Sequence, residues 1–343
     1  MSSQVVDQIF DTGFYWFKKA ESFNHRLIDK VKDLGSSSSH HRAVSYSQTP
    51  PQATTLYGIW NRPIGKIASA IGLSALAIVL WRYADVVLPQ PAEHLEQDDR
   101  RCVLLFGHMR DPITRQIVMD LYRRGFVVFV CSGHGTSEND DQGLFHVQPQ
   151  DLNNVVKYMH ENSGVLASIL VVPNSAYNPS GAFTTLSSNV VQAELEQNVF
   201  AHMKALTKFL PKLSQYPQII LMTPSLPLNY QIPLHSPEVF IAGLMDSFFK
   251  ALTFEYPKLS IYLCHLGVLK IAGSSSNYKY LSVSGSNIGN SLLRPLYNLI
   301  VSQPSWWFGF WERLRGKQRF YGKWSRIGYS LGSWIPYTIF KYV

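Results

Sequence analysis

The stretch that most constrains the fold is residues 101–132, RCVLLFGHMRDPITRQIVMDLYRRGFVVFVCS. It reads as strand, turn, helix, turn, strand. Residues 102–106 form an apolar run of strand type, and Gly107 opens a turn. Ile113, Ile117, Val118 and Leu121 then recur at helical spacing until Gly125 ends the helix, and residues 126–131 make a second apolar run. Two buried strands joined by about a dozen helical residues must lie parallel, because parallel pairing needs a crossover of that length. The stretch therefore predicts the founding unit of a doubly wound α/β sheet.

The pattern continues downstream. Strand-type runs at 145–147, 165–173, 218–223 and 259–267 alternate with helical stretches at 152–161, 186–213 and 238–256. The chain has 343 residues, enough for one large α/β domain at 101–300 with appendages. Its three cysteines, Cys102, Cys131 and Cys264, all fall inside predicted strands without metal-ligand spacing. They read as buried thiols of a reducing compartment, and no metal site is expected.

The appendages carry a different composition. Residues 1–34 place Val6, Phe10, Phe14, Phe17, Leu27, Val31 and Leu34 on one helical face. That face could lie on a membrane or pack on the main domain. Residues 35–62 are a Ser-rich linker whose paired His40 and His41 are too isolated for a metal. Residues 64–83, IGKIASAIGLSALAIVLWRY, are long enough as a helix to span about 30 Å, with Lys66 and Arg82 near the ends. A single membrane pass is the expectation, with an interfacial or a buried helix as the alternatives. Residues 88–100 form a second linker.

Residues 305–343 leave the alternating pattern. From Glu312 onward seven lysines and arginines face that one acid, so the tail carries most of the net charge of +8. Trp306, Trp307, Phe308, Phe310, Trp311, Trp324 and Trp334 lie among or beside them. Rings and cations together suit an anionic membrane interface. The alternatives are an aromatic subdomain covering the sheet edge and a nucleic-acid contact. With the central domain near neutrality, membrane lipids are the expected partners and nucleic acid is not.

One segment is more specific. Residues 171–213, VVPNSAYNPSGAFTTLSSNVVQAELEQNVFAHMKALTKFLPKL, resemble the centre of the short-chain dehydrogenase/reductase family. There, a strand ending in Asn-Asn-Ala-Gly precedes a long helix that carries an Asn and closes at a Pro. Pro173-Asn174-Ser175-Ala176, Asn198 and Pro211 stand at those places, and Lys250–Glu255 matches the end of the family's active-site helix. The resemblance runs from about residue 101 to 270 and looks most like a divergent fungal branch without an assigned activity.

The resemblance implies a Rossmann-type fold, a nicotinamide cofactor and a Ser-Tyr-Lys site supported by the helix Asn. Counting back without gaps from 250–255 puts the catalytic Ser on Ser225, the Tyr on Glu238 and the Lys on Ala242. The Asn is Asn198. The chemistry needs a phenol whose pKa is brought down by a neighbouring ammonium, and Ala242 supplies none. Glu238, beside Pro237, suits a helix first turn instead. Tyr15–Lys19 and Tyr337–Lys341 have the right spacing in the wrong context.

The implied cofactor turn is altered as well. Of the family's Gly-x3-Gly-x-Gly, Gly107 remains, while Asp111 and Ile113 replace the later glycines. Asp111-Pro112 reads as an N-cap followed by proline at N1, where a pyrophosphate would otherwise rest. Gly107, Arg110 and Asn174 are the residues left to touch a cofactor. Cys131-Ser132-Gly133, after the second strand, selects neither NAD nor NADP, and Gly133-His134-Gly135 reads as a loose turn.

The expectation is thus a membrane-anchored pseudoenzyme of mitochondrion or endoplasmic reticulum that acts by binding, as scaffold, lipid or metabolite sensor, or partner subunit. No cofactor is expected, with NAD(P) the alternative, and a protein partner or homodimer is allowed. The competing expectation is an active NAD(P)-dependent membrane oxidoreductase on a lipid-like substrate, using Tyr230 or Tyr177 as proton donor.

Overall fold

The computed structural model describes residues 92, 94–95, 99–132, 143–174, 180–213, 217–272, 280–301 and 316–332. The segments expected at 1–34, 35–62 and 64–83, and both ends of the 305–343 tail, lie outside the described residues. So do Ser175, Ala176, Tyr177 and Gly133-His134-Gly135. Among the described residues no helix is long and apolar enough to cross a membrane.

The opening unit forms as its pattern dictates. β1 (Arg101–Phe106) leads through α1 (Pro112–Arg123) to β2 (Val127–Cys131), which pairs parallel with it. Ile113, Ile117, Val118 and Leu121 of α1 are at most 1% exposed, each burial contributing roughly 1.5–3 kcal/mol. Gly125 stops the helix at φ 94°, a conformation that costs glycine nothing.

β3 (Leu144–Val147), α2 (Leu152–Glu161) and β4 (Val165–Val171) follow, then the expected long helix. It is not uniform. α3 (Ser188–Leu195) passes into a π-helical turn at Glu196–Phe200, resumes as α4 (Ala201–Phe209) and closes in a 3-10 turn, Leu210–Lys212, around Pro211. β5 (Gln218–Thr223), the short α5 (Leu226–Tyr230), α6 (Ser236–Glu255) and β6 (Ile261–Leu266) complete the alternation. β7 (Leu269–Lys270) and β8 (Ser286–Asn287) form a small parallel ribbon, and a second π turn leads into α7 (Arg294–Val301).

The sheet then extends past the expected boundary at 300. β9 (Gln318–Tyr321) pairs parallel with β6, and α8 (Ser325–Leu331) follows it. This part of the expected tail is the sheet's outer strand: Tyr321 enters the core, and Phe320 stacks on His265 at 5.1 Å. Four residues opening with Gln318 and Arg319 gave no strand signal, whereas the surrounding rings and cations did suggest an interface. Two of those cations are engaged within the domain. Arg319 lies over the Tyr262 ring at 5.1 Å, and Lys323 donates to the Ser284 carbonyl at 3.2 Å.

The strand order is β3-β2-β1-β4-β5-β6-β9, with every pairing parallel. Successive side chains enter different cores. Val103 and Leu105 join α1 and α7 on one face, while Cys102, Leu104 and Phe106 join α2, α4 and α6 on the other. Burial on both faces is why these strands read as continuous apolar runs. The three cysteines are free and buried in β1, β2 and β6.

Candidate functional site

The progression of the strand order reverses between β1 and β4, and ligands of such sheets bind beyond the strands' carboxyl ends at that point. Gly107 leaves β1 there, and its N–H donates to the Cys131 carbonyl at 3.3 Å. A Cβ at this position would lie 3.0 Å from the Val172 carbonyl oxygen and 3.1 Å from Thr114 Cγ2. The glycine therefore lets the turn, β4 and α1 close together.

Asp111 caps α1. One carboxylate oxygen accepts the Thr114 N–H at 2.9 Å and the Thr114 hydroxyl at 2.6 Å, with Pro112 in the first turn. The capping read from Asp111-Pro112 is what the structure shows. The side chain is 1% exposed, and its other oxygen, Oδ1, has no partner among the described residues. Burial raises the Asp111 pKa from 3.8 to about 6, against the opposing pull of Thr114's side-chain and backbone hydrogen bonds. Arg110 is exposed and forms no ion pair with it.

This is a poor fit to a dinucleotide pyrophosphate. Amides at the start of α1 that would receive phosphate oxygens already serve Asp111, and at neutral pH the carboxylate is mostly ionised. Pro112 has no N–H to offer.

Across the switch point the π turn joins both strand ends. Asn198, fully buried, accepts the Asn174 backbone N–H on Oδ1 at 2.7 Å and donates from Nδ2 to the Glu194 carbonyl at 2.9 Å and carboxylate at 3.0 Å. Its neighbour Gln197 meets His108 Nε2 at 3.0 Å. Gly107, Asn174 and Asn198 thus lie about one junction, with His108 and Gln197 added by the structure. One turn further, His202 is buried with Nε2 unpartnered among the described residues, and burial, with His108 close by, lowers its pKa to about 3.

The second cluster gathers at the end of β5. Thr223 and Ser225 are each 1% exposed, and neither hydroxyl has a partner among the described residues. Ser225 precedes α5, and the next residue, Leu226, gives its backbone N–H to the Tyr280 hydroxyl. That hydroxyl donates in turn to Glu238 Oε2 at 3.5 Å, while His235 Nδ1 lies 3.3 Å from Oε1. Glu238 sits in the first turn of α6 beside Pro237, as read, but is only 1% exposed. Ala242, one turn on, is buried too. Burial first, and then the Glu238 carboxylate, push the Tyr280 phenol well above its ordinary value.

Tyr230, the alternative donor, spends its hydroxyl on the Trp324 carbonyl at 3.2 Å, and burial raises its pKa. Tyr280 escaped sequence reasoning because it lies 42 residues beyond Glu238, outside any motif. His235, three residues before Glu238, was the available signal. Phe183 and Phe240 meet edge to face at 6.2 Å where the Gly181 N–H binds the Leu234 carbonyl, and both are exposed.

A parallel sheet of this order with polar residues gathered at its switch point defines a Rossmann-fold protein. The chain belongs to DUF1776, a fungal family of unknown function whose model matches residues 98–306. It is 29% identical over 309 residues to UPF0744 protein YSC83 of Saccharomyces cerevisiae, an alignment covering 87% of this chain and 78% of that one. UPF0744 protein YSD83 of Saccharomyces paradoxus matches to the same extent. Among solved structures, the chain is similar to the oxidoreductase yciK from E. coli (TM-score 0.48, 15% identity, 67% of this chain and 97% of that one). It is also similar to Thermoplasma acidophilum aldohexose dehydrogenase (TM-score 0.40, 16% identity, 50% and 69%).

Proposed function

We propose that this protein is a membrane-anchored Rossmann-fold protein that acts by binding and has given up hydride transfer. One observation carries the reading: where the family resemblance puts the proton donor, Glu238 lies buried between His235 and Tyr280, with Ala242 in place of the lysine. A dehydrogenase phenol needs a cation beside it to bring its pKa toward neutrality. The phenol present here, Tyr280, has a carboxylate beside it and is pushed the other way.

The capped α1 supports the same reading for the cofactor, since Asp111 competes with a pyrophosphate for the helix amides. The buried hydroxyls of Thr223 and Ser225 support retained binding: such groups are costly to leave unmet and suit a small polar ligand at the end of β5. In this reading residues 64–83 anchor the chain in a mitochondrial or endoplasmic-reticulum membrane, and the domain serves as scaffold, sensor or partner subunit.

Fluorescence titration of the full chain with NADH and NADPH tests the proposal. Neither should give saturable binding in the micromolar range. Tight binding, together with substrate turnover that Ser225→Ala abolishes, would overturn it.

A further inference from the structure

The carboxyl ends of the strands hold the site described above, and their amino ends carry a different chemistry. Because every pairing in the large sheet is parallel, its strands all begin along one edge, and the returning helices end there. Along that edge stand Arg100 before β1, Arg123 at the end of α1, Lys208 in the last turn of α4, Lys258 between α6 and β6, and Lys317 before β9. All are exposed, and none joins an ion pair among the described residues. Arg100 donates to the Asn162 carbonyl at 3.3 Å, which leaves its charge unmatched.

The acids of this edge are mostly occupied. Asp99 holds Arg101 and Asp120 holds Arg124, each at 2.8 Å, and Glu161 lies 3.7 Å from Lys157. Glu255 is left among the described residues to offset the row of cations. Arg123 and Lys208 suit the negative ends of their helices. Arg100, Lys258 and Lys317 lie in connections outside any last turn, so helix termini do not account for their sign. At the opposite end of the sheet Asp151, Glu194 and Glu196 stand among Arg110 and Arg115. Two apolar side chains are also bare on the basic edge: Val165, which opens β4, at 52% exposure, and Phe254, in the last turn of α6, at 79%. Phe254 borders the same open cleft as Lys317. The chain enters the domain here too, where the Tyr297 hydroxyl donates to the Ala92 carbonyl at 2.7 Å and the Leu95 N–H to the Arg124 carbonyl at 2.9 Å.

We infer that this edge of the domain rests on an anionic lipid bilayer, with Arg100, Arg123, Lys258 and Lys317 on the headgroup charges and Phe254 at headgroup depth. Each cation near such a surface contributes about 1 kcal/mol, and a ring beside cations suits the interface. A row of cations would also take a nucleic-acid backbone. The bare Val165 has no use there, and the entry of the chain at this edge favours the bilayer: Ala92 follows residue 83, the end of the proposed anchor, by nine residues, at most about 30 Å of extended chain. The inference rests on the proposed anchoring for its orientation, and adds the face that meets the membrane and the charge of the lipid.

Amine acetylation of the full chain, read residue by residue by mass spectrometry, tests it in vesicles of phosphatidylcholine alone and of phosphatidylcholine with phosphatidylserine. Lys258 and Lys317 should react about tenfold more slowly in the anionic vesicles, while Lys270, beyond the carboxyl end of β6, reacts alike in both. That protection should vanish at about 0.5 M salt. Arg100→Glu with Arg123→Glu should remove most of it while the circular dichroism stays unchanged, because both side chains are exposed. Equal reactivity of Lys258 and Lys317 in the two kinds of vesicle, with the chain still retained by the neutral ones, would overturn the inference and leave the anchoring intact. Protection by anionic vesicles of a chain that neutral ones do not retain would support the basic face and remove the anchor. Protection by duplex DNA but not by anionic vesicles would assign the edge to nucleic acid and overturn the inference.

Discussion

Asp111→Ser should invert its effect on stability with pH, and the structure sets the size of the inversion. Burial raises the Asp111 pKa from 3.8 to about 6. The folded protein therefore holds this proton more tightly than the unfolded chain, and the carboxylate's contribution to stability is lost as pH rises through that window. At about 1.36 kcal/mol per unit, the ionised group costs the fold about 3 kcal/mol at neutral pH relative to an uncharged one. Serine is as good an N-cap and can accept the Thr114 N–H, and it also removes the unpartnered Oδ1.

The substitution has its own costs. It gives up the attraction of a carboxylate to the helix dipole, about 0.5–1 kcal/mol, and weakens the bond from the Thr114 hydroxyl by about 1 kcal/mol. The variant should therefore be about 1–2 kcal/mol more stable than the wild type at pH 7, and about 0.5 kcal/mol less stable near pH 4, where the folded-state carboxyl is protonated and the dipole attraction no longer applies. Chemical unfolding followed by circular dichroism at a series of pH values between those limits reads the crossover. A difference that stays flat with pH, or a wild type that gains on the variant as pH rises, would show that the fold does not penalise the charged carboxylate. Burial would then not be what sets the Asp111 pKa.

Gly328→Ala should lower stability by about 1–3 kcal/mol, because its Cβ would fall within the Tyr230 ring that α8 packs against; a melting temperature equal to wild type would show that α8 can shift aside. The three thiols should ignore an aromatic disulfide reagent in the native protein at mildly alkaline pH, since burial pushes Cys102 to about 11 and Cys131 and Cys264 to about 12. All three should react once the chain is unfolded, and fast native labelling of any one would contradict its burial.

The fold was legible wherever burial on both strand faces left an unbroken apolar run. Gln218–Thr223 and Leu152–Glu161 were read to the residue, and β1, β2 and β4 to within two residues of their ends. β9 was missed because an edge strand tolerates polar residues: Gln318 and Arg319 carry no strand pattern, and their place follows only from pairing with β6. α5 is five residues with Pro227 in second place, too short for a period to show. In the site, Asp111 was legible because capping is local chemistry decided within four residues. The Glu238–Tyr280 contact was not, since nothing in a sequence relates residues that only the ribbon β7–β8 and its approach bring together. The burial of Glu238 was hidden for the same reason.

Asn198 and Ser225 keep the residue types that the family resemblance assigns to catalysis, yet the structure gives them unequal claims to a chemical role. Asn198 is spent on the fold. Both ends of its amide are bound, one to the strand-end amide of Asn174 and the other to Glu194, and it sits in the π turn inside the long helix. Holding that junction is reason enough for an asparagine there, with or without hydride transfer. Ser225 has no such occupation: its hydroxyl is buried and without a partner among the described residues, as is that of Thr223 two residues earlier. An unmet buried hydroxyl costs about 1–3 kcal/mol, and a fold tolerates that where something else recovers it. Of the two retained positions, the serine is the one whose side chain the fold leaves uncommitted, which is why the proposed binding role rests on the end of β5 rather than on the π turn.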